Sequence, residues 1–387
     1  MAGKRSIFEE VGAASVDTPQ AGVIDARGLG ARRGVRLWLM VLFALVAVMI
    51  AVGGLTRLTD SGLSITEWKP ISGALPPMNA ATWDAEFAAY QASPEFVLQN
   101  KTMTLEAFKS IFWWEWGHRQ LGRVIGLVWA VGFVGFVATK QMPPRWTNRM
   151  LAIGGLIGLQ GAIGWWMVSS GLTGAAVDVA SYRLAVHLGV AFVILGLIAW
   201  AVFLLGRRET DLIQARRMRQ EKLFRMSTGL MHFAFLQIVL GALVAGIDAG
   251  RNYPTWPLMN GEFFPSDAFV VLDAQGVARP VWAAFFENAG LVQFIHRMSG
   301  YLLFVFAVVV WMRGRKSPHL ATRRAYHAVL GMMLVQVALG IVTVLSAAAL
   351  HPAITHQVGA VVLWVLILRA RYLANYPIAG SIRRGTA

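Results

Sequence analysis

The chain has 387 residues, 56% hydrophobic and only 14% charged, which excludes an ordinary soluble domain. Its net charge of +15 would suit a nucleic-acid binder, but the basic residues follow membrane sides instead of forming one patch. The absence of cysteine excludes disulfides, thiolate haem ligation, covalent c-type haem attachment and Cys-ligated iron–sulfur clusters.

Residues 1–36 are polar and Gly/Ala-rich, with Lys4, Arg5, Arg27, Arg32 and Arg33, and read as a disordered cytoplasmic tail. Eight apolar runs follow, each near the roughly 20 residues that cross a hydrocarbon core of about 30 Å. They are Leu37–Thr56, Gly117–Thr139, Met150–Val168, Leu184–Leu205, Ser227–Ile247, Val292–Met312, Ala325–Ala348 and Ile354–Leu368, the last being the shortest. The first run exceeds a signal-peptide core of about 7–15 residues and has a counterpart later in the chain, so it is expected to be retained. The expected fold is an all-α integral membrane protein of eight transmembrane helices. Its divisions are a tail (1–36), a four-helix bundle (37–205), a basic cytoplasmic linker (206–226), a second four-helix bundle (227–371) and a tail (372–387).

Of the Lys and Arg residues, six lie in the N-terminal tail, three between spans 2 and 3, seven between spans 4 and 5, five between spans 6 and 7, and four after span 8. These 25 of the 35 put both termini in the cytoplasm by the positive-inside rule. Clusters such as Arg207-Arg208 and Arg216-Arg217-x-Arg219 read as topology determinants that meet anionic lipid, and no nucleic acid is expected as a partner.

The two halves repeat one another. After span 1 comes Gly53-x6-Asp60-x-Gly62-x5-Trp68 and then Pro77-Met78-Asn79; after span 5 comes Gly241-x6-Asp248-x-Gly250-x5-Trp256 and then Pro257-Leu258-Met259-Asn260. Spans 2 and 6 share His118-Arg119-x-x-Gly122 and His296-Arg297-x-x-Gly300. Spans 3 and 7 share Gln160-x3-Gly164 and Gln336-x3-Gly340, and spans 4 and 8 carry His187 and His356. Polar matches at fixed spacing do not arise from shared hydrophobicity. Four spans per repeat mean that both halves enter the membrane from the same side, so a pseudo-two-fold axis along the membrane normal relates two tandem bundles.

Ionisable residues inside membrane spans are costly and usually functional, and imidazole is a common ligand of haem iron. His118 with His187, and His296 with His356, are expected on facing helices within a turn or two of the external helix ends, which gives two porphyrin sites. A histidine pair without a carboxylate ligand makes a poor zinc site. Two long external segments, 57–116 and 248–291, are expected to cover the sites. Arg119 and Arg297 suit haem propionates through bidentate guanidinium contacts, or snorkel to the headgroups.

The halves differ three residues before the first histidine of each pair, where Glu115 stands against Gln293. Glu115 can exchange a proton and Gln293 cannot, which makes the N-terminal half the candidate for chemistry; the other reading of Glu115 is a member of the aromatic belt Trp113-Trp114-Glu115-Trp116. His232 aligns with Ala44 and reads as a packed residue. His319 and His327 read as solvated cytoplasmic residues, and His351 as a rival ligand or proton carrier. Asp60 and Asp248 are expected to cap turns, Trp165-Trp166 to belong to a belt, and Gly154, Gly155, Gly158 and Gly164 to mark close helix contacts.

These residues resemble the haem A synthase family. The resemblance covers both halves through Glu115-x-x-His118-Arg119, His187, His296-Arg297, His356 and the stretch from Gly54 through Ser64 followed by Glu67-Trp68-Lys69-Pro70. It implies oxidation of the C8 methyl group of haem O to the formyl group of haem A, for terminal oxidases. It also implies a haem b cofactor on His296 and His356 with Arg297, substrate haem O on His118 and His187 with Arg119, and Glu115 assisting the oxidation. Contacts with a haem O synthase and an electron acceptor in a bacterial inner membrane follow, and a homo-oligomer is compatible with it. Lacking the external cysteine pairs of some members, the chain resembles the cysteine-free type. The competing class is a di-haem b-type electron-transfer cytochrome or haem carrier. It explains the histidine pairs, but not why Glu115 occurs in one half only.

Overall fold

The computed structural model describes residues 23–378 apart from 175, 176 and 274. The described residues form helices α1 (Val23–Leu58), α2 (Ala80–Gln91), α3 (Pro94–Leu98), α4 (Leu105–Ala138), α5 (Thr147–Val168), α6 (Ser181–Leu205) and α7 (Glu209–Arg217). They continue with α8 (Glu221–Gly246), α9 (Ala249–Asn252), α10 (Ala284–Glu287), α11 (Ala289–Gly314), α12 (Leu320–Leu345) and α13 (Leu350–Asn375), with no strand among them. Eight of these, α1, α4, α5, α6, α8, α11, α12 and α13, are long and apolar enough to cross a membrane. The chain is a multi-pass membrane protein, because helices satisfy their own backbone where lipid offers no hydrogen-bond partner.

Each half closes on itself as a four-helix ring. In the first, α1 packs on α4, α4 on α5, α5 on α6 and α6 on α1; in the second, α8, α11, α12 and α13 repeat the circuit. The diagonal pairs α4/α6 and α11/α13 make no comparable contact, which leaves the centre of each ring between them. The halves meet through α6 on α8, α1 on α13 and α6 on α13. Exchanging the halves maps the first two contacts onto each other and the third onto itself, as a pseudo-two-fold axis requires. Across this interface Trp364 Nε1 donates to the Phe192 carbonyl at 3.1 Å and Gln357 Nε2 to the Ile50 carbonyl at 2.6 Å. Gly196 lets the Trp364 indole approach the α6 backbone, since a Cβ there would meet it at 3.1 Å.

Several expected boundaries move. Helix α1 takes in residues 23–36, the end of the expected disordered tail, while residues 1–22 lie outside the described residues. The basic linker contains α7 and the start of α8. The eighth span has 26 residues, equal to α11 and α12, and extends past residue 371 into the expected C-terminal tail. Its last turns carry Arg369 and Arg371, which end an apolar run in the sequence. The guanidiniums are absorbed over the Phe203 ring at 5.3 Å and the Trp200 ring at 4.9 Å.

The largest shift is in α4, which begins at Leu105 and places His118 in its fourth turn rather than its first. Residues 105–116 are too polar to read as membrane-spanning, yet Thr104 caps them by accepting from the Ala107 N–H at 3.3 Å. They carry Phe108 and Phe112 into an external aromatic cluster with Tyr90, Trp83, Phe87 and Phe96. Tyr90 stacks on Phe108 at 5.2 Å, and such pairs add about 0.5–1.5 kcal/mol beyond area burial. Helices α2 and α3 are held there by an Asn79–Thr82 capping box and by Ser93 with Pro94 at the first helical position. The second external segment is tied down at Asn288, whose Nδ2 donates to the Asp267 and Val270 carbonyls and whose Oδ1 caps α11.

Candidate functional site

His118 and His187 stand on the diagonal helices α4 and α6, and His296 and His356 on the diagonal helices α11 and α13. All four rings are partly buried. His187, His296 and His356 lie in the second turn of their helices, as the sequence suggests.

A glycine on the neighbouring helix supports each ring. A Cβ would stand 2.9 Å from His118 Cε1 if built on Gly53, and 3.0 Å from His187 Cε1 on Gly164. It would stand 3.0 Å from His296 Cε1 on Gly241, and 3.2 Å from His356 Cε1 on Gly340. These four positions form two repeat-related pairs. In the sequence they read as marks of duplication or as helix contacts; the signal for their role was that each recurs at fixed spacing from the same loop or glutamine.

Glutamines brace three of these histidines. Gln160 Nε2 donates to the His187 carbonyl at 2.9 Å and Gln336 Nε2 to the His356 carbonyl at 2.8 Å. Gln237 Nε2 donates to the His296 carbonyl at 2.9 Å and lies 3.2 Å from His296 Nδ1, while its Oε1 accepts from Ser299. The first half has Met49 at the position of Gln237. There the polar neighbour of His118 Nδ1 is the Thr56 hydroxyl at 3.5 Å.

The residues fit a bis-histidine porphyrin site. In each half two imidazoles on diagonal helices are each backed by a glycine, and His187 Nδ1 and Arg297 Nε are buried without hydrogen-bond partners. His232 and His351 are exposed and belong to neither pair. His327 accepts from Trp311 Nε1 at 3.0 Å. His319, expected to be solvated, is buried at the start of α12.

Glu115 and Gln293 occupy equivalent places. Glu115 Oε1 accepts from Arg119 Nε at 3.1 Å and Nη2 at 2.7 Å, and Oε2 accepts from the Ser64 hydroxyl and the Ile65 N–H, both at 2.8 Å. Gln293 Oε1 accepts from Arg297 Nη2 at 2.9 Å, and its Nε2 donates to the Ala249 carbonyl. Arg119 Nη2 also reaches the Ile65 carbonyl, and Arg297 Nη2 the Tyr253 carbonyl, the equivalent residue of the repeat. Both arginines therefore fasten the first turns of the external segments over the bundles, a role the sequence did not disclose. Arg119 further lies over Trp165, which packs on Trp68, so Trp165 serves the roof of the site.

At the seam between the halves, Arg57 binds Asp60 at 2.8 Å, Asp248 at 2.7 Å and Asp178 at 3.5 Å. Asp60 and Asp248 do not cap helices with their side chains; both hold left-handed backbone, with φ of 47° and 50°. One guanidinium thus joins two repeat-related aspartates.

The sequence profile of the cytochrome oxidase assembly protein family matches residues 36–368. Proteins named haem A synthase are 61% identical in Ruegeria sp. (98% of this chain, 99% of the relative) and 61% identical in Roseobacter denitrificans (99% and 100%). Another of that name, from Paracoccus denitrificans, is 60% identical over 98% of both chains. With the profile covering most of its length and such identity end to end, the chain belongs to the haem A synthase family of cytochrome oxidase assembly proteins.

Proposed function

We propose that the chain makes haem A by oxidising the C8 methyl group of haem O to a formyl group, a four-electron oxidation. The observation that carries this reading is the break in symmetry between two otherwise matching sites: Glu115 in the first half, Gln293 in the second. His118 and His187 hold the substrate porphyrin; His296 and His356 hold a haem b, which supplies one-electron redox chemistry when bound. Haem b and haem O share the bis-histidine requirement, so the chemical difference has to come from the surroundings.

Glu115 stands one helical turn from His118 and assists removal of protons from the oxidised carbon. Four donors occupy its oxygens, and among them only the Ser64 hydroxyl can both give and take a proton. A proton reaching Glu115 therefore passes through Ser64, which gives up its own as it accepts another. Arg119 and Arg297 retain N–H groups on the external side, Arg297 Nε being without a partner, and are assigned to propionates. Even span number puts both termini on one side, which the basic loops assign to the cytoplasm, with the haem sites toward the external face of the inner membrane. The electron acceptor and a haem O synthase are the implied partners.

Co-expression with a haem O synthase in a host lacking haem A tests the proposal. The purified protein is expected to carry haem b together with haem O or haem A, and the membranes to acquire haem A. A protein that carries haem b alone, with no haem A formed, is an electron-transfer cytochrome instead.

A further inference from the structure

Trp68 and Trp256 are equivalent in the repeat, but the chain continues differently after them. Trp256 runs directly into Pro257-Leu258-Met259-Asn260, whereas residues 69–76 stand between Trp68 and Pro77-Met78-Asn79. This insertion leaves the external cap at Lys69, whose Nζ pairs with Glu67 at 2.8 Å and Glu86 at 3.1 Å, and returns at Asn79, the cap of α2. Between these points it makes a short 3-10 turn, Ser72–Ala74, against the side of α4. Arg123 donates from Nε to the Pro70 carbonyl and from Nη2 to the Lys69 carbonyl, both at 2.9 Å. Gln120 Nε2 donates to the Gly73 carbonyl at 3.2 Å and the Ala74 carbonyl at 3.0 Å. Gly73 permits the close approach, since a Cβ there would stand 3.1 Å from Arg123 Nη2. The second half has Met298 and Tyr301 at these positions of α11, and Tyr301 accepts from Trp256 Nε1 at 2.8 Å instead.

Helical register gives the depth of this contact. About 20 residues at 1.5 Å each cross a hydrocarbon core of roughly 30 Å, so counting back from Lys140, past the far end of α4, puts the outer edge near Gln120. Arg123 lies inside that edge. Gln120 also heads a stripe of α4 at spacings of three and four, Val124, Leu127, Val131 and Val134, all exposed and apolar, which is the face the span turns to lipid. The insertion therefore sits on the lipid side of α4, and it presents Ile71, Leu75 and Met78 outward, 87%, 78% and 79% exposed.

We propose that residues 69–78 form a lip inserted into the external leaflet beside the N-terminal site, with Ile71, Leu75 and Met78 among the acyl chains. Acyl chains are the occupant because these side chains continue the stripe of α4 that already faces lipid. Irregular backbone at the edge of the hydrocarbon needs its carbonyls satisfied by protein, and Gln120 and Arg123 supply the donors. An arginine at this depth ordinarily snorkels outward to water; here the backbone comes down to the guanidinium. The lip adjoins the site at its start, where Trp68 packs on Trp165 with ring centroids 5.3 Å apart. Without the insertion and the two polar anchors, the second half has no counterpart to it.

The chain contains no cysteine, so Ile71→Cys and Leu75→Cys can each be spin-labelled in the otherwise unaltered full-length protein. In phosphatidylcholine vesicles, relaxation of both labels by oxygen, which partitions into lipid, is expected to exceed relaxation by a water-soluble nickel chelate, as at Leu127→Cys on the stripe. Val277→Cys on the second external segment, 61% exposed, should show the reverse. Nickel access at 71 and 75 equal to that at 277 overturns the lip. Shielding from both reagents assigns the surface to a second copy of the chain and overturns it as well. Gln120→Met combined with Arg123→Tyr reproduces the second half at both positions and should release the segment, so that labels at 71 and 75 lose their oxygen preference while a label at 127 keeps it. Labels left unmoved by this change overturn the anchoring by α4. If the double variant fails to assemble, the labelled proteins with native Gln120 and Arg123 still decide the depth.

Discussion

The imidazole of His118 rests on Gly53 so closely that a single methyl group there would stand 2.9 Å from its Cε1. The same relation holds between His296 and Gly241 at 3.0 Å. Because these glycines belong to different halves, they separate the two proposed porphyrin sites by experiment. Gly241→Ala is expected to displace His296 and weaken or broaden the haem b spectrum, whereas Gly53→Ala leaves that spectrum intact and lowers haem A formation. Overpacking of this kind costs about 1–3 kcal/mol, enough for a roughly fivefold or larger loss of porphyrin affinity. Pigment analysis of both variants checks the assignment; identical effects on haem b would refute it.

The ligands themselves give a sharper version. Replacing His296 or His356 with alanine should abolish bis-histidine haem b, because the other histidines on the helices of that half, His232, His327 and His351, are exposed and belong to neither pair. Replacing His118 or His187 should leave the haem b spectrum and remove bound substrate haem. Electron paramagnetic resonance of the oxidised protein distinguishes the two sets.

How far the sequence carried these conclusions depends on the kind of signal. The membrane helices were legible because apolar runs of membrane length have few alternatives, and the duplication because Asp60, Gly62 and Trp68 recur as Asp248, Gly250 and Trp256 in polar loops. The start of α4 was not legible, since Leu105–Trp116 is stabilised by aromatic packing from α2 and α3, distant in sequence. Nor was the end of α13, where Arg369 and Arg371 are tolerated only because aromatic rings of other helices receive them. From its neighbour His118, Arg119 read as a partner of a propionate or of the lipid headgroups, but its bonds to the Ile65 and Glu67 carbonyls depend on the path of an irregular segment. Glu95, buried at the start of α3, carried no motif at all; its burial follows from the folding of the cap.

Arg57 is expected to govern how the halves stay together. Its guanidinium compensates Asp60, Asp178 and Asp248, and Arg57→Gln leaves three close carboxylates without their shared cation. A fully buried pair broken this way costs about 3–5 kcal/mol, but the aspartates are one-third to one-half exposed, so about 1–2 kcal/mol is the scale here. Thermal unfolding should show the loss, and millimolar magnesium should restore part of it in the variant while doing little to the wild type. Equal stability of the two proteins would show that solvent already screens the cluster.

Burial raises the affinity of Glu95 for its proton, with a consequence for stability. Between the ordinary carboxyl value of 4.5 and about 8, the folded protein holds a proton that the unfolded chain has released. The contribution of this group is complete below about pH 4.5 and is lost as pH rises through 8, by at most ~1.4 kcal/mol per pH unit within the window. Wild-type protein should therefore lose more stability than Glu95→Gln between pH 6 and pH 8.5. Parallel melting curves for the two proteins across that range would place the carboxyl back among ordinary acids.

Glu115 and Gln293 allow the two halves to be compared by exchange. Glu115→Gln keeps the volume and the Arg119 contact available to an amide oxygen, as Gln293 and Arg297 demonstrate in the second half. The amide Nε2 accepts from neither the Ser64 hydroxyl nor the Ile65 N–H, so the connection through Ser64 is cut. Haem b content should be unchanged, and haem A formation should fall by 10²–10⁴-fold, roughly the range for losing a general base. Haem O or its partly oxidised alcohol should accumulate in its place. Glu115→Asp, which retains the acid but shortens its reach, should recover part of the rate only if the carboxyl itself is needed. Normal haem A formation by Glu115→Gln would leave Glu115 with the bracing role it shares with Gln293.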